Sequence, residues 1–96
     1  MKRIGIVGGT GYTGVELLRM LATHPSVKVS CLTSRSEAGK TVASLYPWLS
    51  HYGDLIFEEP SIDTLSACDL VFYATPNKIA MHEASALLEC NVRVID

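Results

Sequence analysis

Gly9-Thr10-Gly11-Tyr12-Thr13-Gly14 sets three glycines at the spacing G-x-G-x-x-G. Placed after a strand and at the start of a helix, that spacing cradles a pyrophosphate. The first glycine permits a tight turn, the second lets a pyrophosphate come against the backbone, and the third lets the helix pack on the strand. The helix N-terminus then offers N–H donors and the positive end of its dipole to the phosphates. Without a ligand, the same spacing is a tight turn in an α/β domain. Tyr12 and Thr13 stand at the mouth of the helix, where a hydroxyl can touch phosphate. Thr13 is equally suited to capping the helix.

The residues that distinguish one dinucleotide from another stand about 20 positions further on, at the end of the second strand. Here they read Thr33-Ser34-Arg35-Ser36. An acidic residue there would accept hydrogen bonds from free ribose hydroxyls, whereas arginine and serine are donors suited to a 2′-phosphate. Ser34 and Arg35 therefore favour NADP(H) over NAD, the other reading of Arg35 being a solvated loop residue. Thr75-Pro76 ends a later strand where a nicotinamide ribose would lie, or simply stops that strand.

These residues need a strand–helix–strand frame, and the hydrophobic pattern supplies it. Arg3 to Val7 is short and apolar and breaks at Gly8-Gly9, as a buried parallel strand would. Gly14 to Thr23 reads as a helix whose wet stripe is Glu16, Arg19 and Thr23, with Glu16 in the first turn and paired to Arg19. His24-Pro25 ends it. Val27 to Thr33 alternates Val27, Val29, Cys31 and Thr33 with Lys28, Ser30 and Leu32, a second strand. Thr41 to Ser50 suggests a helical turn or two, stopped by Pro47. Asp54 to Glu58 reads as a peripheral strand, and Ser61 to Leu65 as a short helix capped by Ser61. Asp69 to Thr75 is a buried strand, Lys78 to Glu89 a second long helix closed by Asn91, and Val92 to Ile95 a last strand. The alternation predicts an α/β, Rossmann-like doubly wound parallel sheet, truncated, of order 3-2-1-4-5. Its ligand crevice lies beyond the first and fourth strands, where Gly8 to Gly14 and Thr75 to Asn77 sit.

The remaining composition excludes other classes. Ninety-six residues bound one domain, residues 1–96, without internal repeat or linker. Eight Lys and Arg against ten Asp and Glu, without a cluster of one sign, give no footprint for nucleic acid or an anionic membrane. Ile4 to Val7 falls far short of the roughly 20 residues of a spanning helix, so a cytoplasmic protein is expected. Cys31, Cys68 and Cys90 lack the spacing of a metal site or disulfide framework and stand where a small apolar filler is expected. His24, His51 and His82 share no face or triad spacing and read as solvated or capping residues. No metal site and no catalytic residue is expected.

Gly8 to Leu17, His24-Pro25, Leu32-Thr33-Ser34-Arg35, Ala38-Gly39-Lys40 and Asp69 to Asn77 together resemble the N-terminal part of the N-acetyl-gamma-glutamyl-phosphate reductases. The likeness spans nearly the whole chain, and its Gly-Tyr-Thr-Gly-x-Glu-Leu string points away from the related aspartate-semialdehyde dehydrogenases, the nearest enzyme alternative. Reductases of carrier-linked acyl phosphates stand beside those. The resemblance implies NADPH-dependent reduction of N-acetyl-glutamyl 5-phosphate to the semialdehyde, a step of arginine biosynthesis, in a homo-oligomeric parent. It also implies a cysteine nucleophile and a histidine acid/base in a Gly-Cys-Tyr-Pro-bearing part that this sequence does not contain. Many members carry His where Asn77 stands. The chain is therefore expected to be the cofactor half, inactive alone on the acyl phosphate. The other class of reading is a non-catalytic NADP-binding module, because fold alone does not fix function.

Overall fold

Lys2 to Val7 forms the first strand, β1, because its β-branched run can be buried on both faces. Four more strands lie parallel to it: β2 (Val27–Thr33), β3 (Phe57–Glu58), β4 (Leu70–Tyr73) and β5 (Arg93–Ile95), in the sheet order β3-β2-β1-β4-β5. This is the predicted doubly wound order, with β1 at its centre. The structure is a computed structural model that describes residues 1–8, 11–53, 55–74 and 81–95, with 81–84 described by backbone alone.

Helices cover both faces. Ile4 and Ile6 point into a core shared with Leu18 of α1 (Tyr12–Leu21), Val42 of α2 (Val42–Leu45) and Leu49 of a 3-10 helix (Pro47–Tyr52). Gly5 faces the opposite way, against Leu65 of α3 (Ile62–Leu65) and the neighbouring Cys68 and Val71. Leu87 of α4 (Met81–Glu89) completes that second core with Cys31, Tyr73 and Val92.

The strict alternation expected of β2 does not hold. The pairing runs Ile4 with Val29 but Gly5 with Cys31, so Ser30 is an extra residue, a bulge. A one-residue insertion reverses which side chains face which layer. Leu32 accordingly joins Val29 in the first core, while Cys31 turns to the second.

Other expectations are corrected at their ends. α1 starts at Tyr12 rather than Gly14, because Gly11 already has the extended conformation of an N-cap (φ −75°, ψ 168°). Glu16 therefore lies beyond the first turn, yet still meets Arg19 at 3.0 Å. Met20, which lies outside the expected wet stripe of Glu16, Arg19 and Thr23, is nevertheless exposed. Pro47 opens the 3-10 helix instead of only ending its predecessor, its fixed φ suiting a first helical position. The Tyr52 hydroxyl, pushed up to about 12 by burial, donates to the Leu18 carbonyl and ties that helix to α1. The third strand shrinks to two residues around the fully buried Phe57, and Ile56 instead bridges Thr41 in the antiparallel sense. Ser61 precedes α3 in extended conformation but makes no side-chain cap bond. Asn91, at φ 62°, closes α4 as expected, since asparagine tolerates the left-handed region. The predicted start of α4 at Lys78 lies outside the described residues.

Asp69, expected in β4, stays outside it and accepts from the Arg3 N–H at 2.8 Å, closing the start of the β1–β4 pair. That backbone donor, with the charges of Arg3 and Lys2, holds its carboxyl below the ordinary range against the opposing effect of desolvation. A lowered folded value means that the contribution is present above the ordinary carboxylate value and is lost as pH falls through the folded one. Asp69→Asn is expected to flatten the acid limb of Tm against pH. An unaltered acid limb would assign the acid sensitivity elsewhere.

Candidate functional site

The carboxyl ends of β1, β2 and β4 are bound to one another by backbone. Past β1, Gly8 takes φ 83°, a left-handed turn that favours glycine. Its N–H donates to the Thr33 carbonyl at the end of β2 (3.0 Å), and its carbonyl accepts from the Gly11 N–H (3.1 Å). The Ala74 N–H donates to the Val7 carbonyl (2.9 Å), which brings the end of β4 against the same turn. The helical ladder begins with the Val15 N–H on the Gly11 carbonyl. The amides of Tyr12, Thr13 and Gly14 stand ahead of that bond and point along the positive end of α1.

Gly14 is buried where α1 meets the sheet, while Gly11, Tyr12 and Thr13 are exposed. Tyr12 is 87% exposed, so its ring packs on no core residue. Thr13 is not the cap; Gly11 holds that position without a side-chain bond. Gly9, Thr10, Thr75 and Pro76 lie outside the described residues.

Gly11 allows a test of whether a ligand belongs here. A Cβ on it would lie 3.6 Å from the Gly8 oxygen and 3.7 Å from the Ala74 oxygen, which is ordinary contact. Its backbone is extended, a conformation open to any residue. Among the described residues, neither internal packing nor dihedral strain requires glycine at this position. A bound phosphate pressed on the backbone would.

At the end of β2 the serines and the arginine part company. Ser34 is buried: its N–H donates to the Glu58 carbonyl (3.0 Å), and its Oγ accepts from the Glu37 N–H (3.2 Å). It shapes the loop from inside. Arg35 and Ser36 are exposed, and Arg35 makes no ion pair among the described residues. Glu37, the acid closest in sequence, is paired with Lys40 at 2.8 Å, which limits its repulsion of an incoming anion. Two residues that the sequence placed at this edge without a role of their own acquire one. Gly8 makes the turn, and its signal was the doubled glycine. Thr33 is fully buried, and its Oγ1 has no hydrogen-bond partner among the described residues; a threonine ending a strand carries no signal of that.

The other reactive groups lie elsewhere. Cys31 and Cys68 are buried in the second core, and Cys90, expected as a filler, is exposed because it follows the end of α4. His24 and His51, expected to share no face, border one groove beside Leu21 and Tyr52. His24 Nδ1 accepts from the Ser26 N–H at 3.1 Å, a turn-capping role. Among the described residues no group of three or more His, Cys, Asp or Glu could hold a metal, and no helix is long and apolar enough to cross a membrane. The edge thus presents backbone N–H groups at the start of α1 and an exposed guanidinium that makes no ion pair among the described residues.

Residues 3–96 match the family described as semialdehyde dehydrogenase, NAD binding domain. The chain is 57% identical over 96 residues to an N-acetyl-gamma-glutamyl-phosphate reductase of Marinobacter nauticus, and 58% identical over 97 residues to one of Pseudomonas aeruginosa. In both cases the whole chain is matched, and it spans 28% of the relative's length. Among solved structures it resembles aspartate semialdehyde dehydrogenase with NADP from Candida albicans, with a TM-score of 0.76 and 23% identity over 98% of this chain and 28% of that one. It also resembles scyllo-inositol dehydrogenase from Lactobacillus casei, with a TM-score of 0.65 and 21% identity over 98% of this chain and 27% of that one. At those identities the structures speak for the fold, which is shared with dehydrogenases.

Proposed function

The chain belongs to the family of semialdehyde dehydrogenase NAD-binding domains, and from that premise we propose that it is the NADPH-binding part of an N-acetyl-gamma-glutamyl-phosphate reductase. The observation that carries the choice of NADPH is the end of β2. There an exposed Arg35 stands without an ion pair among the described residues, and no acid occupies positions 33–36.

In this reading the Gly9-to-Gly14 loop and the first amides of α1 hold the pyrophosphate, with Gly11 leaving room for it and the Tyr12 and Thr13 hydroxyls at its rim. Arg35 clamps the 2′-phosphate from a loop whose shape Ser34 fixes. The buried Thr33 hydroxyl is the kind of orphaned polar atom that a ligand at this edge would satisfy. Thr75 and Pro76 border the nicotinamide ribose. When bound, the cofactor supplies a hydride. The acyl-phosphate substrate is N-acetyl-glutamyl 5-phosphate, and the setting is arginine biosynthesis in the cytoplasm. The nucleophilic cysteine, the histidine acid/base and the contacts of a homo-oligomer belong to the longer protein, so these residues alone do not turn the substrate over.

Calorimetric titration of the chain with NADPH and NADH tests the proposal. NADPH is expected to bind the more tightly. Equal affinities would remove the assignment to NADPH, and no heat with either would remove the cradle.

A further inference from the structure

Gly5 makes a gap in the second core, and two thiols meet over it. A Cβ on Gly5 would come within 3.0 Å of Cys68 Sγ, so the sulfur occupies space that a side chain would otherwise take. Cys31 is the register partner of Gly5 on β2, turned to this face by the bulge at Ser30. Cys31 is 3% exposed and Cys68 4%, both in the same core cluster. Cys31 and Cys68 pack in one core cluster over Gly5, and Ser30 Oγ lies 3.6 Å from the Cys68 sulfur. The bulge and the glycine thus act together: one presents Cys31, the other clears the space in which Cys68 reaches it.

We propose that Cys31 and Cys68 are an oxidisable pair, which a hydroperoxide converts into a disulfide joining β2 to the segment that leads into β4. Cys68 is the attacking sulfur. Donation from Cys31, followed by Ser30 and the charge of Arg3, draws it down to about 6 against the opposing effects of burial and Asp69. Cys31 is pushed up by its bond to Cys68 and by burial, and remains a thiol. The Cys68 thiolate attacks one oxygen of hydrogen peroxide, breaking the O–O bond and giving a sulfenic acid and hydroxide. The Cys31 sulfur then attacks the sulfenic sulfur and displaces its oxygen. Its proton leaves with that oxygen as water, and the two thiols have given two electrons to the peroxide. The bridge fixes residues 31 and 68 across the central strand and narrows the unfolded ensemble, so the oxidised chain is expected to melt higher.

The test uses Cys90→Ser, which removes the exposed thiol and its intermolecular disulfides. The folded protein is treated with hydrogen peroxide, unfolded in an alkylating agent, digested and mapped by mass spectrometry. The expected result is a Cys31–Cys68 linked peptide pair lighter by two hydrogens, restored by dithiothreitol and accompanied by a rise in Tm. Adding Cys31→Ser should leave a dimedone-reactive sulfenic acid at Cys68. Two thiols fully alkylated after unfolding would overturn the proposal, provided that wild-type Cys90 is oxidised under the same conditions. So would sulfinic acid at Cys68 without the link. The mapping of the Cys90→Ser protein decides the matter even where the second variant fails to fold.

Discussion

Gly11→Val is expected to weaken NADPH binding by at least about 100-fold while the chain still folds. The loss is large because a valine side chain would stand where the pyrophosphate meets the backbone, removing hydrogen bonds to a charged group. Each of these is worth about 1.5–3 kcal/mol, so losing two accounts for the 100-fold. The fold survives because, among the described residues, the new Cβ meets only ordinary contacts, at 3.6 and 3.7 Å, and valine readily adopts φ −75° and ψ 168°. The structural cost is that of a poorer N-cap, about 1 kcal/mol, which is a drop in Tm of about 4–8 °C for a domain of this size. Calorimetry and a thermal melt on the same sample separate the two effects. Retained affinity in a folded variant would show that the glycine loop is architecture rather than a cradle.

Arg35→Ala is expected to abolish the preference for NADPH and leave NADH binding within about twofold of its starting value. One charge-assisted contact with a phosphate contributes about 1.5–3 kcal/mol, so the selectivity should fall by about 10- to 100-fold. Tm should not move, because Arg35 is exposed and joins no ion pair among the described residues. The result to look for against this assignment is an equal loss for both cofactors, which would place the arginine on a phosphate that they share. Ser34→Ala tests a different role. Ser34 Oγ accepts from the Glu37 N–H inside the loop, so its removal should loosen the position of Arg35 and lower selectivity only in part.

Much of this was legible in the order of residue types. Apolar β-branched runs interrupted by amphipathic stretches can be buried only as a parallel sheet with helices on both faces, and the spacing of those runs fixed the strand order. The glycine spacing was legible for a similar reason: glycines after a strand and before a helix have local mechanical tasks, and local tasks leave local signatures. Arg35 was legible as a donor because charge is a property of the residue itself.

Ser34 was not. As a residue type it is a donor equal to Ser36, but the loop geometry turns it inward to the Glu37 N–H and leaves Ser36 exposed. The bulge at Ser30 was hidden because Val29, Cys31 and Leu32 are all apolar, so an inserted residue leaves no break in the hydrophobic pattern. From that hidden insertion follows the meeting of Cys31 with Cys68, two residues far apart in the chain. The amino-acid sequence by itself determined the class of fold, the strand order and the position of the phosphate loop, since these follow from periodicity and backbone freedom over a few residues. Which layer Cys31 faces, what Ser34 bonds and how Gly5 makes room for a sulfur were decided by the tertiary structure, because they depend on strand register and on contacts between distant segments.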